Sequence, residues 1–140
     1  MNIREMFDYD LWAQKRWVPV ADAMGENHVL AHMLVSSQVW LARCRHVETD
    51  LRDDLPLVIR MEENHAAWQA FLEIADVSEQ VFYTNSRGES YTNTVEEIAQ
   101  HVINHGTYHR GQLRGIAQEK RVDFPETDLI AFLAICSRMH

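Results

Sequence analysis

The chain has 140 residues, of which 46% are hydrophobic and 24% charged, the balance expected of a single folded domain over residues 1–140. With 13 Lys and Arg against 21 Asp and Glu, its net charge of -8 repels phosphate backbones and anionic lipid, so neither nucleic acid nor a membrane is an expected partner. No run approaches the roughly 18 consecutive apolar residues of a membrane span. The opening MNIREMFDYD lacks the apolar core of a signal peptide, and the two cysteines, Cys44 and Cys136, are read as buried thiols of a cytoplasmic protein.

The first helix starts after Asn2, with Glu5 three residues on as in a capping box. Ile3, Met6, Phe7, Asp10, Leu11, Gln14 and Trp17 form its mostly apolar stripe; Pro19 is expected to end or bend it, and Gly25 marks a turn. A second helix is predicted over Asn27 to Arg45, with Leu30, Met33, Leu34 and Leu41 on its apolar side. The acidic stretch from Glu48 to Pro56 reads as a loop. A third helix follows from Leu57 to Ala75, with Ile59, Ala66, Trp68, Phe71 and Leu72 as core candidates.

The period then changes. Val81, Phe82 and Tyr83 on one side and Tyr91 and Thr92 on the other flank Asn85-Ser86-Arg87-Gly88, the pattern of a short hairpin. Thr94-Val95-Glu96-Glu97 is a capping box, and the helix behind it runs to about Glu119. Thr127 is placed as the cap of a small last helix, Asp128 to Ser137. The expected architecture is all-α: an antiparallel four-helix bundle with a β-hairpin-like segment between helices three and four and a small C-terminal helix.

Eight histidines in the chain are the unusual feature. His101, His105 and His109 are spaced four apart on the fourth helix, in one row on one face, continued by Gln112 and flanked by Tyr108. Ile98, Val102, Leu113 and Ile116 fall on the same half of the helix, so the row is expected within the apolar side, where imidazoles need partners. A His pair at i, i+4 offers two ring nitrogens to one metal ion. The segment His105-Gly-Thr-Tyr-His109 lacks the Glu of HExxH, which argues against a zincin-type peptidase. A third ligand has to come from elsewhere. His32 is the best candidate, with His28 one turn earlier. Glu62 and His65 form one Glu-x-x-His, whereas a di-iron bundle needs two. His46 and His140 are read as solvent-exposed, and His28 and His65 as surface or packing residues. Three neutral imidazoles with an open fourth position suit zinc, nickel or copper and describe a catalytic type of site. Gly106, Gly111 and Gly115 are read as close helix packing, with a dimer contact as an option. Trp40 is read as a core residue and Arg43 as solvated, with a pocket wall and an anion-binding group as the sharper alternatives.

The chain resembles the DinB-like family in Tyr9–Ala13, Leu30–Leu34, Trp40–Arg43, Tyr83–Gly88, Asn104–Gln112 and Phe124–Leu133. The resemblance covers almost the whole chain. It implies a four-helix bundle, a homodimer, and a divalent metal, zinc or nickel, held by His32, His105 and His109, with His101 as a pocket group. Relatives that use bacillithiol or mycothiol imply a low-molecular-weight thiol activated by the metal and an electrophilic substrate, an S-transferase type of reaction. Hydrolysis through an activated water is the second enzymatic option. The alternative is a non-catalytic metal-binding or stress-response module. Gln112, Tyr108 and His101 are candidates for orienting ligands or substrate.

Overall fold

The computed structural model describes residues 1–138; His140, expected to be exposed, lies outside them. The chain is mostly helical, with one small two-stranded antiparallel sheet. Helix α1 spans Ile3–Met24, α2 Asn27–Arg45, α3 Leu57–Ile74, α4 Val95–Lys120 and α5 Leu129–Arg138; strands β1 (Gln80–Thr84) and β2 (Ser90–Thr94) form the hairpin between α3 and α4. Helix α1 packs against α2, α3 and α4, and α2 against α3 and α4. The hairpin rests on α2 through β1 and on α4 through β2, and α5 touches α1.

Local chemistry accounts for the boundaries. Asn2 Oδ1 accepts the Glu5 N–H at 2.9 Å and opens α1. Pro19 does not end α1, which continues through it to Met24: both Pro19 and Lys15, whose carbonyl it deprives of a donor, are exposed, so that carbonyl is open to solvent. Gly25 ends the helix instead, at φ 72°, the left-handed conformation that glycine adopts without a Cβ penalty. Thr94 and Glu97 form the full reciprocal capping box at the start of α4. Thr127 is not a cap. Its Oγ1 accepts from Trp17 Nε1 at 2.9 Å and its carbonyl from the Tyr9 hydroxyl at 2.6 Å, so it ties the segment before α5 to α1.

Two apolar clusters fill the interior. One, towards the hairpin, gathers Phe7, Leu41, Trp68, Val81, Val95 and Ile98; the other, towards Gly25, gathers Trp17, Leu30, Leu34, Met61 and Leu113. Trp68 stacks on Phe7 at 4.8 Å, and its Nε1 donates to Ser37 Oγ at 3.0 Å, so the buried indole leaves no orphan donor. Two α3 core candidates are corrected: Ile59 is 42% exposed and Ala66 is exposed, because the packed face of α3 runs through Met61, Trp68 and Leu72. Cys44 is buried and Cys136 only partly so; both are free thiols. Burial, reinforced by Glu79, pushes the Cys44 thiol up to about 11, which keeps it protonated and unreactive at neutral pH.

Candidate metal centre

The contact between α2 and α4 brings three histidines together. His105 and His109 lie one turn apart on α4, and His32 of α2 faces them, its ring centroid 5.2 Å from that of His105 and 5.0 Å from that of His109. One ring nitrogen from each can be chosen so that all three atoms lie within 4.8 Å of one another. His105 and His109 are half-buried and His32 is exposed, so the cluster sits at the lip of the groove between the helices. That corrects the expected placement of the row inside the apolar side. The buried face of α4 runs through Ile98, Val102, Gly106, Leu113 and Ala117, and the histidines flank it.

The donor set fits a late first-row divalent ion. His109 Nε2 and His105 Nε2 are 3.0 Å apart. Two imidazole nitrogens at tetrahedral zinc distances are separated by about 3.3 Å, so only a small spreading of the pair would admit an ion. The remaining nitrogen of His109, Nδ1, lies 2.8 Å from Gln112 Oε1 and donates to it, which leaves Nε2 with its lone pair towards the cluster. Burial, together with the neighbouring His109, His32 and His101, pushes His105 down to about 4, so its imidazole is neutral and ligand-competent at physiological pH.

The other singled-out residues divide in two. His101 stacks on His105 with centroids 5.6 Å apart, and Trp40 meets His101 at 5.5 Å. Trp40 is half-buried rather than fully in the core. Arg43 is half-buried as well, with its guanidinium 4.5 Å from the centre of the Trp40 ring. Tyr108 is 72% exposed, its ring 5.2 Å from that of His109. His28 is exposed, pairs with Glu26 at 3.3 Å and is outside the cluster. Glu62 and His65 do not act together: Glu62 pairs with Lys15 at 3.0 Å, and His65 with Asp8 at 2.7 Å. His46 is exposed beside Glu79.

Sequence reasoning missed the support under the site. Arg110, next to His109, is 4% exposed and donates to Asp10 Oδ1 of α1 at 2.7 Å; Gln14 also donates to the Asp10 carboxylate. Gly106, next to His105, makes the close approach possible, since a Cβ there would lie 2.5 Å from Asp10 Oδ1. Gly111 and Gly115 are not packing residues within one chain: a Cβ at either meets nothing within 4 Å. The available signal for the ion pair was a charged residue in each of two apolar stripes, Asp10 in α1 and Arg110 in α4.

Among the described residues, no helix is long and apolar enough to cross a membrane. The model of the DinB family matches residues 22–134. No curated protein and no solved structure matches the chain.

Proposed function

The chain belongs to the DinB family, and on that basis we propose that it is a metal-dependent enzyme in which His32, His105 and His109 hold one divalent ion, zinc or nickel. The observation that carries the proposal is the convergence of three imidazoles from two helices, with a neutral His105 and a His109 oriented by Gln112. The four long helices, taken as an antiparallel bundle, supply a rigid floor, and the homodimer remains part of the reading.

An ion bound there would act as a Lewis acid, stabilising the thiolate of a low-molecular-weight thiol or activating a water. The chain's own residues do the positioning. Gln112 holds the His109 ring by accepting from Nδ1, the Asp10–Arg110 pair locks α4 against α1 beneath the site, and exposed His32 leaves the outer side accessible. His28 and His101 stand outside the three-residue group, which favours an open coordination position over a closed structural shell. Thiol transfer to an electrophile is the preferred reaction, and hydrolysis the second.

Metal analysis by plasma mass spectrometry on untagged protein tests this directly. About one equivalent of zinc or nickel is expected in the wild type, and none in a His105→Ala/His109→Ala variant that still folds. Absence of metal, with no uptake of added zinc or nickel at neutral pH, would overturn the proposal. One observation favours a non-catalytic module instead: the cluster contains no carboxylate to move protons. Metal-loaded protein that turns over neither a thiol with an alkylating electrophile nor an ester would establish that second reading. Sedimentation at the 16.4 kDa of one chain would remove the dimer.

A further inference from the structure

The row of rings that begins at the candidate ligands continues away from them. His101 stacks on His105 with 23° between ring planes and also meets Trp40 at 73°. Trp40 meets Tyr83 of β1 edge-on, with centroids 4.9 Å apart and an interplanar angle of 86°. Tyr83 in turn stacks on Tyr91 of β2 at 5.8 Å. The Arg43 guanidinium braces the corner, 4.5 Å from the Trp40 centroid and 5.1 Å from that of Tyr83. Beside these rings lies a cavity of about 240 Å³, lined by Trp40, Tyr83, Asn93, Glu97, Ile98 and His101.

Two polar groups of this lining are engaged within the chain. The Tyr83 hydroxyl donates to Asn93 Oδ1 at 2.6 Å, and Glu97 Oε1 accepts the Thr94 N–H at 2.8 Å. Ring surface of half-buried Trp40 and Tyr83 and of exposed His101 remains for a guest. Two rings at right angles offer one guest ring both an offset stack and an edge-to-face contact, the two arrangements aromatic pairs favour. An apolar cavity of about 150 Å³ is enough for benzene, so the space accommodates one substituted ring. Tyr83 and Asn93 of the hairpin line one side, and His101, which lines the cavity, also stacks on His105.

We propose that the substrate of the three-histidine centre carries a single aromatic ring, which docks in this cavity against Trp40, Tyr83 and His101 with its reactive substituent directed past His101 towards His105. The word substrate rests on the metal-dependent reading above; the docking of the ring does not. Trp40 and Tyr83 are then the residues that select the substrate.

The test uses the full chain and two neutral probes of similar size, benzyl alcohol and cyclohexylmethanol, followed by nuclear magnetic resonance at the Trp40 indole N–H and the His101 ring. Benzyl alcohol is expected to shift both signals saturably, at least tenfold more tightly than cyclohexylmethanol. Trp40→Leu and Tyr83→Leu should each weaken binding at least tenfold, with circular dichroism confirming the fold, and Trp40→Phe should restore most of it. The His105→Ala/His109→Ala variant should keep the ring site. Equal binding of the two probes, no saturable shift, or indifference to both Leu substitutions would overturn the proposal. Ring binding by a chain that takes up no metal counts against the metal reading alone, so the two failures are distinguishable.

Discussion

Gln112 Oε1 accepts a hydrogen bond from His109 Nδ1 at 2.8 Å, along the same helix that carries both residues. The bond fixes the tautomer and the ring direction of a candidate ligand, so removing it should weaken metal binding without abolishing it. Gln112→Ala is expected to lower zinc affinity by roughly 10- to 100-fold, read by competition with a chelating dye. Because Gln112 is exposed, its thermal midpoint without metal should be nearly unchanged. An unaltered affinity would show that the contact does no orienting.

The depressed His105 makes the metal-free fold acid-sensitive in a defined window. Its folded value of about 4 lies below the ordinary 6.5. Between those values the unfolded chain binds a proton that the folded chain does not, so stability falls as pH drops through the window and levels off below it. Thermal midpoints measured from pH 7 to pH 4 in chelator should decline, and His105→Leu should decline less steeply over the same range. Parallel curves for the two proteins would reject this account.

The buried Asp10–Arg110 pair should be costly to break on one side. Asp10→Ala strands a guanidinium that is 4% exposed, and is expected to destabilise by about 3–5 kcal/mol. An apolar double substitution, Asp10→Leu with Arg110→Met, should recover much of that loss because no buried charge remains. Urea unfolding of the single and double variants measures both. A loss below about 1 kcal/mol for Asp10→Ala would mean that water reaches the pair.

The glycines of α4 should respond in opposite directions. Replacing an exposed helical glycine by alanine usually gains about 0.5–1 kcal/mol, and Gly111→Ala and Gly115→Ala, with open space at each Cβ, should each do so. Gly106→Ala drives a methyl to 2.5 Å from Asp10 Oδ1, a side chain pinned by Arg110 and unable to swing away, so it should destabilise. Chemical denaturation ranks the three. Destabilisation at Gly111 or Gly115 would indicate that another surface, such as a second copy, covers that face in solution.

Much of the fold was legible in the residue order because its signals are local. The Thr94–Glu97 capping box, the turn at Gly25 and the hairpin around Asn85–Gly88 involve neighbours within a few positions, and each is found where expected. The errors came where local rules meet exposure. Pro19 reads as a helix breaker, yet it lies on an exposed turn where the carbonyl it frees is open to solvent. Ile59 reads as core, but the direction from which α1 and α2 approach α3 left it outside.

The candidate site divides in the same way. The four-residue spacing of His105 and His109 puts their imidazoles on one helix face, so that half of the cluster was written in the order of the residues. The choice of His32 over His28 depends on how α2 lies against α4, and that is a matter of packing. The Asp10–Arg110 pair, 100 residues apart in the chain, and the Trp40–Tyr83 corner, which joins a helix to a hairpin, have no short-range signature. Periodicity is a property of one segment, whereas a contact between two segments depends on the angle and depth at which they meet, and only the folded core sets those.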